Sequence, residues 1–188
     1  MPIPLGVLAV AGAGAGATGS FDLLETTVLG SNAASVTFSS LGSYSAYKHL
    51  QVRYTVKTAR TAFDIDFYQL TLNGVTTASY AYHHLGGNGS SVTSDNGANS
   101  SFIYPWITVP GNATTSGFGA GILDLLDFSS TSKNKTVRIF AGQTVSATRY
   151  LALASGFYNS TNAITSMTFT FPNANALTGS RFSLYGIK

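Results

Sequence analysis

The residues best equipped for chemistry are few and poorly spaced. His83-His84 is the one histidine cluster in the chain. Adjacent positions on a strand point to opposite faces, so the two imidazoles cannot close on one metal ion. Asp64 and Asp66 share a strand parity and could join His84 around a hard cation, but a solvated acidic strand face is the expectation for them. Cysteine is absent, which removes disulfides, thiolate metal sites and thiol nucleophiles together. No G-x-S-x-G elbow and no Walker-type loop occurs. Gly86, Gly87 and Gly89 resemble a phosphate loop in composition only, because SSVTSDNGANSS follows and offers no helix to present its amides. Only seven Asp and Glu residues are available to form a hydrolytic pair. The expectation is a protein that is not an enzyme, with no catalytic residue, no metal and no cofactor.

Carbohydrate binding is the stronger chemical alternative. Tyr80, Tyr82, His84, Tyr104 and Trp106 adjoin the longest polar run, Gly86 to Ser101, which reads as a loop. Aromatic faces beside Asn and Asp groups are what a sugar site requires. The competing expectation puts most of these rings in the core or at a subunit interface. Asn-x-Ser/Thr triplets at Asn88, Asn99, Asn112, Asn134 and Asn159 are unremarkable in a chain so rich in Asn, Ser and Thr.

Positioning any such groups falls to β-structure. Leu50, Val52, Tyr54 and Val56 alternate with Gln51, Arg53, Thr55 and Lys57, giving one dry and one wet face. Met167, Phe169 and Phe171 alternate with Thr168 and Thr170, and Val36 and Phe38 do so briefly. Ile65 and Phe67 share one parity and Leu70 and Leu72 the other, which predicts a bulge near Tyr68 and Gln69. Asn73-Gly74 predicts a tight hairpin turn. Further strands are expected at Phe21–Leu29, Ser79–Leu85, Phe102–Val109, Ile122–Phe128, Thr136–Ala141, Arg149–Ser155 and Arg181–Ile187. No apolar period of 3.6 persists for three turns, so helices should be few. About ten strands without a long internal repeat point to an all-β, antiparallel two-sheet sandwich, jelly-roll-like, over residues 21–188.

The 188 residues suit one such domain. Charged residues make up 9%, far below the roughly 25% of ordinary soluble domains, so hydroxyl and amide groups must carry the surface. The formal charge of +3 reflects scarce acids, not a basic tract, and nucleic-acid binding is not expected.

Residues 1–20, MPIPLGVLAVAGAGAGATGS, read as an extended Gly/Ala-rich arm. Pro2, Pro4 and the interrupting glycines, with no Lys or Arg ahead of the apolar run, argue against a signal peptide. The run is also too short to insert across a membrane. Ile3, Leu5, Val7, Leu8 and Val10 are too apolar to lie exposed and are the expected partner-docking residues.

Several stretches carry a family likeness: MPIPLG with its Gly/Ala-rich arm, FDLLETTVLGS, YKHLQVRY, FSSTSKNKTVR and GSRFSLYGIK. Together they resemble short virion structural proteins of tailed bacteriophages, common in marine and freshwater viruses and those of cyanobacteria. The likeness is weakest between Ala59 and Gly117. It implies a capsid decoration or tail/fibre component on the virion exterior, made in the host cytoplasm without a signal peptide. The implied partners are major capsid or tail proteins and further copies of the chain, for example in a trimer, with a host surface glycan as the partner in the receptor-recognition alternative.

Overall fold

The computed structural model describes residues 20–61, 63, 65–105, 117–144 and 149–188. Residues 1–19 of the N-terminal arm, with the docking residues Ile3, Leu5, Val7, Leu8 and Val10, lie outside the described residues, as do Asp64, Trp106, Asn112 and the second half of the expected Phe102–Val109 strand.

Among the described residues eleven strands form an antiparallel β-sandwich: β1 (Phe21–Val28), β2 (Ser35–Phe38), β3 (His49–Val56), β4 (Gln69–Leu72), β5 (Tyr80–Gly87), β6 (Val92–Ser100), β7 (Gly119–Leu126), β8 (Lys135–Gln143), β9 (Tyr150–Tyr158), β10 (Met167–Thr170) and β11 (Arg181–Ile187). The large sheet has eight strands in the order β1-β11-β3-β7-β8-β9-β5-β6, and the small one has three, β2-β10-β4. Near both ends of the described chain, consecutive strands alternate between the sheets. The only helical element among the described residues is a short 3-10 turn, Leu41–Tyr44.

Alternation builds the core as anticipated. In the small sheet Met167 sits between Phe38 and Leu72, and Phe169 between Val36 and Leu70; all six side chains are buried. Facing them, Leu50, Val52, Tyr54 and Val56 point inward from β3 while Arg53 and Thr55 point outward. The Phe169 ring lies 4.9 Å from Tyr68 and 5.3 Å from Phe182, and Tyr54 stacks on Phe182 at 5.8 Å. Gly121 makes this packing possible, since a Cβ there would collide with the Tyr54 ring.

Four local expectations need correction. No bulge interrupts β4, which starts only at Gln69; Tyr68, Leu70 and Leu72 are buried together and Ile65 and Phe67 lie in the preceding non-strand segment. Asn73 and Gly74 do adopt the paired positive φ of a tight turn, 53° and 67°. The turn joins no hairpin, however, because β4 and β5 belong to different sheets. Asn73 serves it instead as a clamp, donating to the Ala163 carbonyl and accepting from the Thr165 and Ser166 amides. The polar run expected as a loop is largely β6, paired along β5 at the sheet edge. In an edge strand, hydroxyl and amide side chains can face water on both sides, so the hydrophobic alternation that marks buried strands is missing. Lys57, expected on a wet face, is buried just beyond β3.

Candidate functional site

The expected aromatic site does not assemble as a surface. Tyr80, Tyr82 and His84 alternate along β5 and therefore share its inner face. Tyr80 is buried and stacks on Tyr158 at 4.8 Å. Its hydroxyl accepts from the Leu72 amide at 2.9 Å and shares its proton between the Leu72 and Val75 carbonyls. It therefore ties down the Asn73-Gly74 turn. Burial pushes this phenol up to about 12. His84 is also buried, and burial lowers its pKa against the opposing pull of Asp95. Tyr82 is half-buried and covers Gly97 of β6, where any Cβ would meet its ring. Tyr104 lies 5.7 Å from Tyr82, 6.0 Å from Phe102 and 4.3 Å from Phe67, and burial raises its pKa. Thus Tyr82 and Tyr104 do come together, but their rings pack on other rings. Tyr80 and His84 are spent on the core.

The acidic expectation also changes. Asp66 is not a solvated strand residue: it is buried and accepts from Thr58 Oγ1, the Phe67 amide, Asn173 Nδ2 and Arg60 Nη1 at 2.6–3.2 Å. Four donors satisfy its carboxylate, which is the condition for burying a charge. His83 and His84 do take opposite faces, one exposed and one buried. Among the described residues no group of three His, Asp or Glu side chains could hold a metal ion.

An open cleft of about 740 Å³ lies at one end of the large sheet, lined by the β5–β6 turn (Asn88, Ser90) and by Gln143, Arg149 and Tyr150 of β8 and β9 and their flanks. Much of its polarity is already engaged. Asn88 Oδ1 accepts from the Ser90 and Ser91 amides, and the Tyr150 hydroxyl pairs with Thr93 at 2.7 Å. Arg149 is the cleft's cation and is exposed.

The feature that sequence reasoning missed is the outer face of the large sheet. β9 is inverted relative to an ordinary half-buried strand. Tyr150, Ala152, Ala154, Gly156 and Tyr158 point inward, while Leu151, Leu153 and Phe157 point outward and are exposed. The small inner residues make room for bulk arriving from elsewhere: a Cβ at Gly156 would strike Ile103. Cross-strand register then aligns the outward side chains. Ile122 of β7 faces Phe140 of β8, Phe140 faces Leu153 of β9, and Leu153 faces Leu85 of β5. This unbroken row crosses three strand gaps, about 14 Å. Leu151 and Val92 extend it in the next row, and the six side chains are between 39% and 74% exposed. The signal for this face was in YLALASGFY, which is apolar at both parities, as in strands covered on both sides.

A polar chain borders the row. Arg53 Nε donates to Gln51 at 2.7 Å, Gln51 Nε2 to Asp124 Oδ1 at 2.8 Å, and Arg138 donates through Nε and Nη2 to Asp124 Oδ2 at 3.1 and 2.9 Å. The charge of Asp124 is met within the chain itself.

No protein-family model matches this sequence, and no curated protein matches it. Among solved structures, the CBM40 module of the Ruminococcus gnavus IT-sialidase bound to α2,3-sialyllactose overlays with a TM-score of 0.34 at 9% identity, covering 87% of this chain and 92% of that one. A second structure of the Ruminococcus gnavus IT-sialidase CBM40 gives 0.34 at 13% identity, covering 86% and 90%. An alginate lyase Aly36B mutant with an alginate trisaccharide gives 0.28 at 8% identity, covering 87% and 80%. Overlays this loose specify no shared site.

Proposed function

We propose that this chain is a non-enzymatic structural protein of a tailed-phage virion exterior, a capsid decoration or tail-associated component. The observation that carries the assembly reading is the apolar row Ile122–Phe140–Leu153–Leu85 on the outer face of the large sheet. An antiparallel sheet that faces water on one side puts polar residues there, whereas this half of the sheet puts Leu, Ile and Phe. Contiguous apolar surface of this kind marks a protein contact. The virion assignment comes from the family likeness of the sequence. In this reading Ile3, Leu5, Val7, Leu8 and Val10 anchor the arm to neighbouring capsid or tail proteins.

The test is to purify particles and count copies by quantitative mass spectrometry and cryo-electron microscopy. A fixed, symmetry-related copy number on the particle surface is expected. Absence from particles would sink the reading.

A second reading, a receptor-recognition module that binds a surface glycan, has the Arg149 cleft in its favour. A glycan array should then show binding that Arg149→Ala removes. Binding removed by Tyr82→Ala instead would place the sugar at the Tyr82–Tyr104 cluster.

A further inference from the structure

We infer that the outer face of β7, β8, β9 and β5 is the contact surface for a second copy of this chain, packed sheet against sheet about a two-fold axis. The inference deepens the assembly reading above by naming the occupant of that face.

Area is the first argument. Leu85, Val92, Ile122, Phe140, Leu151 and Leu153, at roughly half exposure each, present on the order of 500 Å² of apolar surface, near the upper end of what a monomer leaves open. With the surrounding rim this approaches the roughly 800 Å² that each partner contributes to a standard interface.

Charge is the second. A face that meets its own copy meets its own charges, so any net charge at its centre repels. Here the bordering Asp124 is paired with Arg138 across β7 and β8, and the row Ile122–Phe140–Leu153–Leu85 contains no ionisable group at all. Arg53 continues the row beyond Ile122 and the exposed Arg149 precedes Leu151, so both cations fall at the rim, in water, and the apolar centre buries no unpaired charge, the costly event in interface formation.

Shape is the third. Leu151 stands in its row between Gly142 and Gly87, with its Cδ1 leaning over the Gly142 position. Leu151 covers the Gly142 side itself, and the hollow left beside it is at Gly87, where no side chain closes over the glycine, so one patch supplies both knob and hollow. A two-fold contact needs this self-complementarity, because the same patch serves both partners. Two twisted sheets meeting in this way interdigitate about 10 Å apart with their strands about 30° from parallel.

Sedimentation velocity of the full-length chain tests the inference. A concentration-dependent dimer is expected in the micromolar range. Leu153→Glu and Val92→Lys should each weaken it at least tenfold, while Thr26→Glu, at the far edge of the same outer face, leaves it unchanged. Val92 is the most exposed of the six, so its replacement reports on the contact even if Leu153→Glu fails to fold; circular dichroism checks both. A chain that stays monomeric at several hundred micromolar overturns the inference. So does a dimer indifferent to both substitutions, or open-ended growth in place of a closed dimer. These outcomes are separable from the virion reading, which stands or falls on copy number in particles.

Discussion

Along a single row of the large sheet, Thr26, Ser183 and Arg53 stand beside Ile122, Phe140, Leu153 and Leu85. In this row the first three strands, β1, β11 and β3, finish their outer face against water, although Leu23 and Val28 of β1 stay 60% and 51% exposed in neighbouring rows. Thr26 and Ser183 hydroxyls pair at 3.1 Å. The Arg53 guanidinium lies over the rings of Phe21 and Tyr185 at 5.3 and 4.8 Å, turning exposed aromatic surface into a cation–π contact. The next four strands leave comparable aliphatic and aromatic surface with no such cover. Both halves share one core and one register, so folding requirements do not explain the contrast. On the proposed assembly reading, the uncovered half is the side that receives a partner.

If the contrast is confined to the outer face, the inner face should respond alike under both halves. Burial raises the phenols of Tyr54 and Tyr68 and takes Tyr80, under the other half, to about 12. A folded-state pKa above the unfolded value of about 10 means the native state holds its protons longer. That stability is fully present below pH 10 and is lost as pH rises through the folded values. Lys135 opposes this: burial lowers its pKa, so its own contribution improves with rising pH up to about 10.5. Tyr82 and Tyr104 are raised by burial as well, so the phenols together outweigh the lysine, and cooperative unfolding is expected in alkaline melts above pH 10. A flat melting temperature to pH 12 would show that these rings are not sealed.

Tyr54→Ala, which removes a buried ring contacting Phe182, Tyr68 and Phe169, should cost about 3–5 kcal/mol in denaturant melts. Its outward neighbour sharpens the comparison: Arg53→Ala should cost about 1 kcal/mol or less, the scale of exposed cation–π contacts. Leu151→Ser, in the bare half, should change monomer stability by only about 0.5 kcal/mol in dilute solution. A loss several times larger would mean that Leu151 already packs within its own chain. Smallest of all should be removal of residues 1–17. On the proposed reading the arm docks onto a neighbouring protein, so the melt should not move, and a large drop would assign the arm to the core.

Much of the sandwich was legible because its signals are local. Strict alternation marked β3, β2 and β10, and those strands formed with the expected faces inward. The misses have physical causes. β6 carries no alternation because an edge strand can be wet on both sides. The Asn73-Gly74 pair fixed a turn but not what followed it, since a turn's φ angles do not choose which sheet the next strand joins. Tyr80, Tyr82 and His84 were correctly adjacent, yet their role depended on which face of β5 turned inward.

The sequence by itself determined the fold class. Period-two apolar runs, with no sustained 3.6-residue period, leave an all-β sandwich as the economical reading. Which side of each strand became interior was a tertiary decision. In YLALASGFY both parities are apolar, so local preference is nearly degenerate, and the choice passed to volume. Ile103 takes the space over Gly156, while Tyr150 and Tyr158 turn inward at the two ends of β9. Between those ends Ala152, Ala154 and Gly156 face the core, and Leu151, Leu153 and Phe157 are left facing out.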